Sequence, residues 1–241
     1  MEPGFPPAPA PALTHPAAAV LGRVEHWVFD LDNTLYPASS NLFLQVDQRM
    51  KAYIGDLLGC DRDEAHRVQK QLFLAYGTTM RGLMTEHGVD PRQFLDFVHC
   101  IDHSQLQPNP ALGTALDRLP GRKYIFTNAS TDHADRVLER LGIGHHFAGI
   151  FDIVAADFLP KPNPASYEKM LLAHGIAPAR SALFDDIPKN LEPAAALGMT
   201  TVWIRTESEY AKVGEPGAHI HYVTDDITGW LTELVAPPAG A

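Results

Sequence analysis

The chain has 241 residues, 45% of them hydrophobic and 20% charged, and carries a formal net charge of -10, enough length for one good-sized core or a core domain with a smaller one attached. So acidic a surface repels nucleic-acid backbones and anionic membranes, and no apolar run approaches the roughly 20 residues of a membrane-spanning helix, so neither partner is expected. With no basic residue before Arg23 and two cysteines, Cys60 and Cys100, a secretory signal and a disulfide framework are both unexpected, and a cytoplasmic location is the natural expectation.

Residues 1–22 are rich in Pro and Ala without periodicity and are expected to form a disordered extension. A short apolar run at Val24–Asp30 reads as the first buried strand. It ends in Val28-Phe29-Asp30-Leu31-Asp32-Asn33-Thr34-Leu35-Tyr36, two carboxylates spaced i, i+2 and then a hydroxyl. A calcium loop of the EF-hand kind needs Gly sixth and Glu twelfth, where Leu35 and Asn41 stand. A turn or a helix cap would explain the pattern taken alone. Residues 39–107 show no strand pattern, only helical periodicity at Leu42–Leu58, Asp63–Tyr76 and Arg92–Cys100. They are expected to form an inserted helical domain over the carboxyl ends of the strands, where open α/β sheets bind ligands.

After the insert, strands are expected at Tyr124–Thr127, Phe151–Ala155, Ala182–Asp185 and Thr201–Ile204, and helices at Thr131–Leu141, Ala165–His174 and Leu191–Leu197, stopped by Gly142, Gly175 and Gly198. The alternation predicts an α/β fold with a parallel sheet covered on both faces, its core formed by residues 23–38 and 108–241. Three further motifs sit in this half. Thr127-Asn128 ends an apolar run just before a helix, where a hydroxyl and backbone N–H groups suit a phosphate oxygen, or where Thr127 or Ser130 caps the helix. Lys161 lies in a loop stiffened by Pro160, Pro162 and Pro164. Asp185-Asp186 closes the fourth strand, with capping by Asp186 the plainer alternative. In a parallel sheet all four motifs leave the same edge, so Asp30, Asp32, Asp185 and Asp186 crowd one pocket, a repulsion that a divalent cation relieves. An all-oxygen set suits magnesium.

These motifs, in this order, resemble the haloacid dehalogenase (HAD) superfamily and its phosphatase branch, over roughly Val24 to the C-terminal end. The resemblance implies a doubly wound, Rossmann-like α/β core with a helical cap of the family's first type between the first two motifs. It makes Asp30 the nucleophile that forms an aspartyl-phosphate, and Asp32 the acid that protonates the leaving oxygen and then activates water. Thr127, Asn128 and Lys161 would hold the phosphoryl group. Asp30, the main-chain carbonyl of Asp32, and Asp186 would bind Mg2+, with Asp185 acting through a metal-bound water or as a second ligand. An acid at Asp32 suits an alkoxide leaving phosphorus; dehalogenases, which attack carbon, do not need one.

Within the superfamily, Asp32-Asn33-Thr34-Leu35-Tyr36 and Tyr76-Gly77-Thr78-Thr79-Met80-Arg81-Gly82-Leu83 resemble pyrimidine 5′-nucleotidase-like proteins. On that likeness Thr78 or Arg81 would face the base or sugar of a pyrimidine nucleoside 5′-monophosphate, and Tyr36 would stack on it. Equally, Gly77-Thr78-Thr79 would end one helix and start the next. The expected partner is a small phosphorylated metabolite. A phosphomutase, which returns the phosphoryl group to a sugar phosphate, and a non-catalytic interaction protein are the competing readings. Histidines show no metal-ligand spacing and are expected on the surface or in loops; Trp27, Trp203 and Phe126 are expected in the core.

Overall fold

A computed structural model describes residues 18–208, 211 and 217–236. The elements run in chain order as α1 (Ala18–Leu21), β1 (His26–Phe29), α2 (Leu42–Leu58), α3 (Arg62–Tyr76), α4 (Thr79–His87), α5 (Pro91–Val98), α6 (Pro110–Arg118), β2 (Arg122–Phe126), α7 (Thr131–Leu141), β3 (Phe147–Phe151), α8 (Pro164–His174), β4 (Ser181–Asp185), α9 (Pro188–Ala196), β5 (Thr200–Ile204), β6 (Tyr222–Thr224) and α10 (Ile227–Leu234). The six strands form one sheet in the order β3-β2-β1-β4-β5-β6, and every pairing is parallel.

The order explains where a ligand goes. From β1 the chain moves outward through β2 to β3, then crosses back to β4 on the other side of β1. The connections leaving β1 and β4 therefore turn apart, and a crevice opens at the carboxyl ends of the central strands. Strand residues alternate between two apolar layers. Trp27, Phe29, Ile125 and Phe184 face one layer with residues of α6, α7 and α10. Val28, Tyr124, Phe126 and Leu183 face the other with residues of α8 and α9. Phe29 and Phe184 stack with ring centroids 4.6 Å apart, joining β1 to β4 beneath the crevice.

All regular elements of the insert are helices, and it has its own apolar centre, including Val46, Ile54, Leu72, Leu83, Phe94 and Val98. Ile153, from the loop after β3, is buried in that centre and ties the insert to the sheet domain. Gly77-Thr78-Thr79 forms a helix junction: Gly77 ends α3 at φ +83°, and Thr78 Oγ1 accepts the Arg81 N–H at 3.1 Å to open α4. No described helix is long and apolar enough to cross a membrane.

Three expectations need correcting. The third strand ends at Phe151 rather than beginning there. Asp152 bends the chain by accepting the N–H of Thr131 at 2.9 Å and of Ala155 at 2.8 Å, so apolar Ile153 and Val154 pack on the insert instead of extending the sheet. β6, at the sheet edge, is three residues long, too short for a period-two pattern. The unstructured extension expected over residues 1–22 lies for residues 1–17 outside the described residues; Ala18–Leu21 is a helical turn with Leu21 buried in the core.

Candidate active site

Asp30 is the residue after β1, and its N–H donates to Phe184 O of β4 at 2.8 Å, so the sheet itself aims the side chain into the crevice. The chain then turns sharply: Asn33 takes a left-handed φ of +60°, and Leu35 N–H returns to Leu31 O at 3.0 Å. This brings Thr34 Oγ1 to within 2.9 Å of Asp30 Oδ2, to which it donates.

Lys161 crosses from the loop after β3, only 1% exposed. Its ammonium donates to Asp30 Oδ1 at 2.7 Å, Asp185 Oδ2 at 2.7 Å and Phe126 O at 2.8 Å, which uses all three protons. Asn128 secures the loop from below, accepting Lys161 N–H at 2.8 Å and donating to Lys161 O at 3.3 Å. Burial works against the ammonium, but Asp185 and Asp30 outweigh it and hold Lys161 above its ordinary value.

Asp185 is fully buried and satisfied: besides Lys161, it accepts Ile187 N–H and Asn190 Nδ2, both at 2.9 Å on Oδ1. Asp186 differs. Its main-chain oxygen accepts from Trp203 Nε1 at 3.0 Å, yet among the described residues no hydrogen-bond donor reaches its carboxyl, although it is only 4% exposed. Oxygens of Asp30, Asp185 and Asp186 lie within 4.8 Å of one another. Three acids against one ammonium leave an excess of negative charge out of water. Burial, and then Asp185, push Asp30 up to about 7 despite Lys161. Burial, Asp30 and Asp185 push Asp186 well above the carboxylate range. An unpaired buried carboxylate in an all-oxygen cluster is the environment a hard divalent cation satisfies, so the residues fit magnesium.

Asp32 lies two residues on and is held differently. His133 Nε2 and the Tyr36 hydroxyl both approach Oδ1, at 2.9 Å and 2.5 Å. Burial raises this carboxyl, but His133 and Tyr36 outweigh it and set it below its usual value. Thr127, 2% exposed, accepts Ala129 N–H at 3.0 Å through Oγ1, which leaves its own proton to donate. Asp30, Asp32, Thr127, Lys161 and Asp186 floor an inner chamber of about 120 Å³ whose roof comes from the insert, chiefly Phe43, Met50, Phe73, Met80 and Phe94. An outer cavity of about 330 Å³, bordered by Tyr76, Arg81 and Lys189, shares Phe73, Asn128, Ile187 and Asn190 with it.

Comparison with known proteins agrees with this geometry. A family model described as haloacid dehalogenase-like hydrolase matches residues 24–198. The chain belongs to the haloacid dehalogenase-like hydrolase family. Phosphate metabolism protein 8 of Saccharomyces cerevisiae is 32% identical over 189 residues, covering 71% of this chain and 58% of that protein, so the chain spans less than two thirds of that relative. Glyceraldehyde 3-phosphate phosphatase of Methanothermobacter thermautotrophicus is 25% identical over 218 residues, covering 83% of this chain and 95% of that one. A magnesium-bound HAD-type hydrolase of Bacillus subtilis shares the fold at a TM-score of 0.57 and 13% identity, covering 89% of this chain and all 100% of that one.

All four family motifs meet at one edge of the sheet, but side-chain duties are redistributed. Asn128 reaches the chamber wall, where both ends of its amide clamp the Lys161 backbone and one Nδ2 proton remains to donate. Asp185 is taken by Lys161. Tyr36 is 2% exposed and does not line this chamber; it borders a separate cavity and gives its hydroxyl to Asp32. Thr78 lines the inner chamber, and Arg81 only the outer cavity. Trp27 and Phe126 are core, while Trp203 is half-buried.

The expectation for histidines fails at three positions. His133 is fully buried, and His99 and His103 are 8% and 9% exposed. His99 stacks on His133 with centroids 4.5 Å apart, and His103 Nε2 lies 3.4 Å from His133 Nδ1. A signal existed: His133 lies on the same helical stripe as Ala134, Val137, Leu138 and Leu141, the buried face of α7.

Proposed function

We propose that the chain is a magnesium-dependent phosphomonoester hydrolase acting on a small phosphorylated metabolite. The observation that carries this is the pairing of an unbonded, buried Asp186 beside Asp30 and Lys161 with a separately anchored Asp32 two residues further on. That arrangement supplies a nucleophile, a cation site and an acid in one chamber. Asp30, Asp186 and the main-chain carbonyl of Asp32 would hold magnesium, which supplies positive charge to offset the acids and the phosphoryl oxygens.

The chain's own residues do the rest. Thr127 donates to a phosphoryl oxygen and orients the ester, while Lys161, held by Asp30 and Asp185, places its positive charge beside the phosphoryl group. An Asp30 oxygen bonds to phosphorus while the bond from phosphorus to the leaving oxygen breaks, its electron pair staying on that oxygen. Asp32 gives that oxygen a proton, so an alcohol departs and an aspartyl-phosphate remains. Asp32, now a carboxylate, takes a proton from water, whose oxygen bonds to phosphorus as the bond to Asp30 breaks. Inorganic phosphate leaves and both acids are restored. Acid–base help of this kind contributes about 10²–10⁴-fold. Asp185 anchors Lys161 throughout.

The finer substrate reading is a pyrimidine nucleoside 5′-monophosphate. It is supported by the insert's likeness to nucleotidases, by the apolar and aromatic roof, which suits a flat base, and by Thr78 and Arg81 along the way in. The test is phosphate release from a panel of nucleotide, sugar and triose phosphates, with and without magnesium, by the wild type and Asp30→Asn. The expected result is magnesium-dependent release with no isomerised product, abolished in Asp30→Asn, and a covalent phosphate on the Asp30 peptide in quenched wild-type enzyme. Activity surviving Asp30→Asn would remove the mechanism; faster turnover of non-nucleotide esters would remove the substrate.

A further inference from the structure

We propose that His133 and Tyr36 are positioning residues that fix which oxygen of Asp32 faces the substrate. The inference rests on Asp32 being the acid–base group proposed above.

A carboxyl on a two-torsion side chain has a broad terminal rotamer, and its two oxygens exchange easily. Here they are made unequal. Oδ1 receives both Tyr36 OH, from the turn after β1, and His133 Nε2, from α7, while no donor among the described residues reaches Oδ2. An oxygen accepting two hydrogen bonds has no room for a proton of its own. Any proton on Asp32 therefore sits on Oδ2, the oxygen left to a chamber that Asp32 lines.

The imidazole is in turn oriented by groups that never touch Asp32. His103 Nε2, 3.4 Å from His133 Nδ1, can donate to it, which leaves the His133 proton on Nε2, pointing at Asp32. His99 stacks on the ring and is itself held by Ser130 Oγ, 2.9 Å from its Nδ1. His133 occupies a position on the apolar face of α7 where a leucine would bury more cheaply; packing alone does not call for imidazole there.

The test uses the leaving group. p-Nitrophenoxide departs without needing a proton, whereas an alkoxide needs one, so in the first half-reaction misplacing the acid harms only the alkyl ester; hydrolysis of the aspartyl-phosphate, which also uses Asp32, is common to both and is kept out by single-turnover measurement. In full-length His133→Ala and Tyr36→Phe, the single-turnover rate of alcohol release from alkyl phosphates is expected to fall by about 10²-fold in the double variant, within the acid–base range. Substrate affinity should change little, and single-turnover release of p-nitrophenolate should fall far less, which also reports that the variants fold. His133→Gln, whose amide can reach as far as Nε2, should restore much of the loss. Equal losses on both esters, or no loss on alkyl phosphates, would overturn the inference and leave the phosphatase reading standing. A wild-type protein that hydrolyses neither ester would sink both.

Discussion

Lys161 and Asp185 meet at 2.7 Å with side chains 1% and 0% exposed, and this closed pair positions the ammonium that also holds Asp30. The second acid of the Asp185-Asp186 pair is thereby set apart from the first: Asp185 belongs to the lysine and Asp186 faces the chamber unbonded.

Loss of one partner should be costly. Removing one member of a buried ion pair leaves the other charged and unpaired, at about 3–5 kcal/mol. Lys161→Ala should lose about that much in urea unfolding with chelator present, and Asp185→Asn a similar amount. Because the two share one interaction, the double variant should cost clearly less than both singles together. Strict additivity would mean that the pair does not hold the site.

Magnesium should stabilise the protein more as pH rises. Asp30, raised to about 7, and Asp186, also raised, bind more protons when folded without metal than when unfolded. Their contribution to stability is therefore present at low pH and lost as pH climbs through the folded values. Metal must displace those protons, so its affinity should tighten by about tenfold per pH unit for each proton released as pH rises from 5, with the Asp30 share levelling off above about 7. The readout is the difference in Tm between magnesium and chelator across that range. Taking this difference cancels His99, which burial and His133 push down to about 3 and which acts in the opposite direction. A flat difference would count against Asp30 and Asp186 as ligands, and Asp186→Asn should flatten it.

Gly82 probes the roof of the chamber. A Cβ there would stand 2.7 Å from Leu72 Cβ and Cδ2, so Gly82→Ala should drive α4 away from α3. Overpacking of this kind costs about 1–3 kcal/mol. Since α3 and α4 carry Phe73 and Met80, the change should raise KM while the magnesium requirement remains. Thermal unfolding and steady-state kinetics measure both, and an unchanged Tm would show that the two helices are not in contact as described.

The sequence by itself determined the elements and the reactive residue types. Apolar runs and helical stripes are properties of neighbouring residues, so Thr131–Leu141 and Leu42–Leu58 are legible to the residue, and a parallel sheet forces Asp30, Thr127, Lys161 and Asp185 to one edge. Where a local pattern was ambiguous, as in Ile153-Val154, it misled, because the partner that claims those side chains lies in the insert. Only the tertiary structure decided who bonds to whom. Lys161 reaches Asp30 across 131 positions and His133 reaches Asp32 across 101. No short-range pattern encodes such a meeting. Each side chain satisfies its charge or its hydrogen bond with whatever the packed elements bring within about 3 Å, and that choice separated Asp185 from Asp186, set the Asn128 amide against the Lys161 backbone, and turned Tyr36 and His133 toward Asp32.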